Sequence, residues 1–222
     1  MSNVSYKYFT MINSGKIRFK KSLKAYLVLL GGLYLFMLLT SFNTTDLRLE
    51  YSIIRKGEKI GKLLFTRRAS GTEEHLQMRS EVKFSFLGQI TAHAREDATF
   101  QNQILLRSSV FREINGRTKS DKKTERVGNQ YRLLDDDDAK TLTSAGIQYN
   151  MLCVYFSEPL YRNSIYSDNY QRFLKVEKLA PHHYRIEMPN GDVNEYHYKN
   201  GICQRVEVNS FLYHSTIQLA SL

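Results

Sequence analysis

Six histidines, two cysteines and a run of four aspartates are the residues of this 222-residue chain best suited to metal ligation or proton transfer. The histidines are His75, His93, His182, His183, His197 and His214, and only the last hairpins bring any of them near carboxylates at useful spacing. If Asn190-Gly191 closes a two-residue turn, Met188 pairs with Val193, Ile186 with Glu195 and Tyr184 with His197. His183 and Glu187 then share a face with Asn194 and Tyr198, while Glu195 and His197 project from the other. Split in this way, the four groups do not converge on one ion, and no metal is expected. The same register places Glu195 and His197 on the face that carries Tyr184, Ile186, Met188 and Val193. Either that strand lies near the sheet's rim, where both groups reach water, or the two orient a ligand's polar head at the mouth of a cavity.

The remaining candidates carry less chemistry. Asp135 to Asp138, followed by Ala139 and Lys140, suit a solvated loop. A calcium loop would space its ligands at alternate positions around a glycine turn. Cys153 and Cys203 would meet an oxidising compartment if the chain is exported, and a disulfide would tie the segment around residue 153 to the penultimate strand. Both lie among apolar neighbours, so two buried free thiols are the alternative. The chain has no Gly-x-Ser-x-Gly elbow, phosphate-binding glycine loop or His-Glu-x-x-His motif. The expectation is a protein without cofactor or enzymatic activity, with a hydrolase using His and acidic residues as the minor reading.

The elements that position these groups are mostly strands. Leu76 to Phe86 alternates so that Leu76, Met78, Val82, Phe84 and Phe86 share one face and Gln77, Arg79, Glu81, Lys83 and Ser85 the other. One apolar and one charged face belong to an antiparallel sheet covered on one side. Similar runs are predicted around 47–53, 60–68, 89–101, 104–114, 117–126, 131–134, 173–179, 183–188, 193–198, 202–208 and 212–219. They are punctuated by turn dipeptides such as Asn115-Gly116 and Asn200-Gly201. The almost wholly polar stretch Arg117 to Arg126 suits an edge strand. Ile147, Met151, Val154 and Tyr155 fit one helical face, and Leu152, Cys153 and Phe156 make the other side apolar too, so 147–156 is a buried helix or a central strand; the central helix is favoured because Thr143 or Ser144 can cap it and Pro159 ends it. A loop is expected over 163–169, with Tyr161, Tyr166 and Tyr170 rimming a pocket or covering the helix.

The net charge of +10 is unevenly distributed. Residues 1–42 carry six basic and no acidic residues, leaving 26 Lys/Arg against 22 Asp/Glu in 43–222. The folded part therefore has a mixed-charge surface, and no nucleic-acid partner is expected. Ala25 to Leu39 is fifteen residues without a charge, behind the basic cluster Lys16 to Lys24. That arrangement is an export signal. It either is cleaved or, extended through Phe42, anchors the chain to the inner membrane as an N-terminal hydrophobic helix over 25–42. In both cases residues 43–222 form one exported, periplasmic domain.

Tyr51-Ser52-Ile53 with the stretch from Gly57 to Gly61, Ser109 to Arg117, Tyr149 to Phe156, Pro189-Asn190-Gly191-Asp192 and Asn200-Gly201-Ile202-Cys203 together span most of 47–219. In these motifs the chain resembles an uncharacterised family of exported β-proteins from Bacteroidota-type bacteria. It is more distantly similar to the lipoprotein-carrier fold. That resemblance implies a strongly curved antiparallel sheet wrapped round a helix and enclosing an apolar cavity.

The fold expected is mainly β: a single curved, half-barrel or barrel-like antiparallel sheet round one central helix, preceded by the N-terminal hydrophobic helix. The expected function is binding of a lipid or acyl ligand on the concave face, lined by Leu76, Met78, Val82, Phe84, Phe86 and Ile186 with Glu195 and His197. The competing reading is a fully packed interaction protein of the envelope, with no small-molecule ligand.

Overall fold

The computed structural model describes residues 45–85, 88–136, 138–210 and 214–221. The N-terminal hydrophobic segment and Phe86 lie outside these. Among the described residues, no helix is long and apolar enough to cross a membrane.

The alternating runs form one antiparallel sheet of fourteen strands. The first eight are β1 (Thr45–Arg55), β2 (Glu58–Ser70), β3 (Glu73–Ser85), β4 (Gln89–Gln101), β5 (Ile104–Ile114), β6 (Arg117–Val127), β7 (Gln130–Asp135) and β8 (Asp138–Thr143). The last six are β9 (Ser164–Ser167), β10 (Arg172–Ala180), β11 (His183–Glu187), β12 (Val193–Lys199), β13 (Ile202–Asn209) and β14 (His214–Ser221). Strands consecutive in sequence are paired except β8 and β9, and β1 also pairs with β14. Strands β8 and β9 are the two edges, so the sheet is not closed. The turn dipeptides behave as expected: Asn115-Gly116 has φ of 49° and 73°, and Asn200-Gly201 of 53° and 77°, the doubly positive backbone of a type I′ hairpin.

Residues 144–163 connect the two edges. They carry the buried side chains Ile147, Leu152, Val154 and Phe156. One apolar cluster gathers Leu49, Tyr51, Phe65, Leu76, Phe100, Leu105 and Tyr131 from β1–β5 and β7 onto this segment. A second gathers Leu174, Ile186, Tyr196, Cys203 and Val206 from β10–β13. Cys153 and Tyr155 touch both clusters. One face of nearly every strand thus packs on the same ten-residue segment, which requires the sheet to curl round it.

That segment is the central element predicted, but it is not a helix. Among the described residues the single α-helix, α1, is Cys153–Phe156, one turn. The backbone before it is satisfied by its surroundings instead of by its own next turn. Leu105 N donates to Ile147 O, Ile147 N to the Tyr131 hydroxyl, Tyr166 N to Tyr149 O and Met151 N to Tyr166 O. Tyr198 donates its hydroxyl to Val154 O at 2.8 Å, and Tyr149 to Ser157 O. Buried tyrosines thereby supply the polar ends that an irregular segment needs inside a sheet.

Four other expectations are corrected. The ends of the aspartate run are strand and not loop: Asp135 and Asp138 pair at the ends of β7 and β8, and Asp135 accepts a 2.7 Å bond from Lys122. The 163–169 loop contains β9. The polar strand β6 is no edge, because β7 and β8 extend the sheet beyond it. Its one fully buried side chain, Thr124, bonds the Tyr166 hydroxyl at 3.0 Å. The β11–β12 register is also one residue away from the two-residue-turn reading. Gly191 N donates to Met188 O and Met188 N to Asp192 O, so the connection is longer and Glu187 pairs with Val193.

Candidate functional site

A one-residue change of register turns over every side chain of a strand. Tyr184 faces Tyr196 and Ile186 faces Asn194, and Tyr184, Ile186, Tyr196 and Tyr198 are buried inside. Glu195 and His197 project instead from the outer face, together with His183. Neither can orient a ligand in the concavity.

A cavity of about 250 Å³ lies in the concavity. Its apolar wall comprises Leu63, Phe65 and Met78 from β2 and β3, Met151, Leu152 and Tyr155 from the connecting segment, and Met188, Tyr196 and Val208. Phe65 is stacked on Tyr155 with ring centroids 3.9 Å apart, which holds this wall in place. The polar wall contains Glu96 on β4 and Arg112 on β5, with Ser167, Asn169, Tyr170, Asp192 and Asn194. Glu96 accepts a 2.7 Å bond from an Arg112 terminal nitrogen, and Arg112 Nε has no hydrogen-bond partner among the described residues. Burial disfavours the arginine's charge, but Glu96 beside it outweighs this and leaves the guanidinium pKa above its ordinary value. The cavity wall therefore carries an Arg112–Glu96 ion pair beside an apolar surface, with Arg112 Nε enclosed and unpartnered among the described residues.

Behind this wall lies Asp168, fully buried, accepting a 2.8 Å bond from the Asn150 amide. Burial pushes its carboxyl up to about 7, the nearby Glu96 charge adds to the rise, and Ser108 and Asn150 offset part of it. Asp168, Asn150, Glu96 and Arg112 escaped the sequence reading. Glu96 is the legible one in principle: it sits at an inward position of β4, between Ala94 and Ala98, where alternation calls for an apolar residue.

Of the predicted lining residues, Met78 reaches this cavity. Leu76 lies in the core and lines a smaller cavity with Cys153 and Phe156. Val82 packs at the margin of the core, Phe84 lies under the Arg55 guanidinium at 4.9 Å, and Ile186 is sealed in the second cluster. Tyr161 is exposed, Tyr166 is buried and Tyr170 lines the cavity. Cys153 and Cys203 are free thiols, each pushed up to about 12 by burial.

On the outer face, one ligand atom from each of His183, Glu195 and His197 lies within 4.8 Å of the other two. The expectation that these groups diverge fails for the register reason given above.

A crystal structure of a beta-barrel-like protein of the domain of unknown function DUF1849 from Brucella abortus superimposes with a TM-score of 0.50 at 9% identity, covering 82% of this chain and 98% of that one. At that identity the likeness shows the fold alone. No curated protein matches the sequence. The family model of DUF6134, a domain of unknown function, matches residues 51–220.

Proposed function

The chain belongs to the DUF6134 family, and from that premise we propose that it is a non-enzymatic envelope protein that binds a small amphipathic ligand in the concavity of its sheet. The ligand class is an acyl chain or similar apolar body bearing an anionic head. The observation that carries this is the Arg112 guanidinium, held by Glu96, on the wall of a cavity whose apolar side is formed by Phe65, Met78, Met151, Tyr155 and Val208. A carboxylate or phosphate fits such a planar donor, and burial strengthens the pair. At about 250 Å³ the cavity approaches the ~300 Å³ at which small-molecule pockets begin. It suits a short chain, or the head of a longer one whose tail leaves the open side. The basic, apolar N-terminus exports the domain to the periplasmic side and, if retained, anchors it to the inner membrane.

One observation favours a second reading, an interaction protein without a small ligand. Residues 147–156 occupy much of the space that a carrier would leave open. Native mass spectrometry with organic extraction, on protein purified from an exporting host without denaturation, separates the two. A stoichiometric acidic lipid or acyl species, lost in Arg112→Met, is the expected result. A clean unliganded mass and no uptake of added fluorescent fatty acid would refute the carrier reading and favour the packed one.

A further inference from the structure

We propose that the outer face of β11 and β12 is a binding site for one divalent transition-metal ion of the zinc or copper class, with His183, Glu195 and His197 as its ligands. The site lies on the face opposite the cavity and does not depend on the ligand-binding reading. His183 and His197 are direct cross-strand partners, and Glu195 is two positions from His197 on the same strand, so all three project on one side. His183 Nε2 and Glu195 Oε2 are 2.9 Å apart, and the two imidazoles are stacked with centroids 4.1 Å apart. The three donor atoms lie within 4.8 Å of one another. A tetrahedral ion with bonds near ~2.1 Å needs donors about 3.4 Å apart, so a small rotation of the two rings closes the set.

The surroundings leave this set available. His197 Nε2 is buried and has no hydrogen-bond partner among the described residues. Its nearest carboxylate, Glu207, stands 3.8 Å away and is held by Arg205 at 3.0 Å. Arg185 lies opposite Glu195, and Arg205 opposite His197. These two arginines balance Glu195 and Glu207, so no strong negative field draws in cations in general. Affinity must come from the donor atoms. Two imidazole nitrogens and one carboxylate suit zinc and copper, whereas calcium and magnesium take oxygen ligands. The side chains of His183, Glu195 and His197 remain about a quarter exposed, which leaves an entry path and open coordination positions.

The test is titration of the full-length, untagged, chelator-treated protein with Zn²⁺ against a chromophoric competitor, with Cu²⁺ paramagnetic resonance alongside. Expected are one equivalent of metal and nitrogen couplings from two imidazoles. His183→Ala and His197→Ala should each weaken Zn²⁺ by at least about 10-fold, a loss that even outer-shell changes reach at metal sites. His93→Ala, at an exposed histidine elsewhere, should change nothing. Circular dichroism of the metal-free variants checks folding, and Glu195→Gln, nearly isosteric, gives the answer if a histidine variant is unfolded. Absence of stoichiometric uptake, uptake that survives the double change His183→Ala/His197→Ala, or an oxygen-only copper spectrum would overturn the proposal.

Discussion

Raising the pH from 5 to 8 should destabilise this protein through one carboxyl group, that of Asp168. Its side chain is fully buried, and burial lifts its pKa from the ordinary 3.8 to about 7, with Glu96 contributing. In the unfolded chain the same group ionises near ~3.9. Between about pH 4 and pH 7 the folded state therefore holds a proton that the unfolded state has lost. Stability then falls as pH rises through that window, and the loss is complete above the folded pKa. The gap between 3.8 and about 7, at about 1.4 kcal/mol per pH unit, corresponds to roughly 4 kcal/mol as an upper value. His197 acts in the opposite direction. Its lowered pKa means the unfolded state binds more protons near pH 6, so its contribution to stability grows with pH. Asp168→Asn separates the two, because Asn keeps the shape and an acceptor for the Asn150 amide but has nothing to ionise. Urea unfolding of both proteins at pH 5 and pH 8 is the assay. Wild type should lose about 2–3 kcal/mol relative to the variant on going from pH 5 to pH 8, the share of the window that lies between pH 5 and the folded pKa. Equal pH dependences, within about 1 kcal/mol, would refute the assignment of a buried, proton-holding carboxyl.

Gly61→Ala should destabilise by about 1–3 kcal/mol, since a Cβ there would collide with Glu81 O and crowd Val82 Cα on the paired strand, and backbone cannot move aside cheaply; a melting temperature at or above wild type would contradict this. Phe65→Ala, which removes a ring packed on Tyr51, Tyr155 and Phe156, should lose about 3–5 kcal/mol in urea unfolding, and a loss under 1 would contradict the close packing of this ring in the core. With both thiols pushed up to about 12, neither Cys153 nor Cys203 should react with a thiol reagent at pH 8 in the native state, whereas both should react after unfolding; fast native labelling would show that the site around α1 is open.

Much of the strand pattern was legible because alternation is a local property. Leu76 and Met78 point inward and Arg79 and Glu81 outward, whatever the rest of the chain does. Asn115-Gly116 and Asn200-Gly201 are equally local, since their positive φ values demand turn residues. Elsewhere the same reasoning met its limit. Four adjacent aspartates read as loop, yet Asp135 and Asp138 end two strands because Lys122 on β6 compensates one of them. Strand β9 is four residues long, too short to announce itself, and is held by β10 and by the Tyr166 hydroxyl's bond to Thr124.

The candidate sites show the division most clearly. His183, Glu195 and His197 were singled out from their spacing, but the turn after Glu187 decides which face they share. That turn is set by the Met188–Asp192 backbone bonds and by the burial of Tyr184, Ile186 and Tyr196. The Glu96–Arg112 pair joins two strands, and no local pattern links its partners across sixteen residues. The sequence by itself determined that this chain is a long antiparallel meander with one apolar face, because side-chain alternation and turn chemistry act over a few residues. Only the tertiary structure decided what that face wraps. Residues 147–156 have an apolar composition compatible with helix or strand, and they became an irregular plug because tyrosines and strand edges far away in the sequence satisfy their backbone more completely than a helix there could.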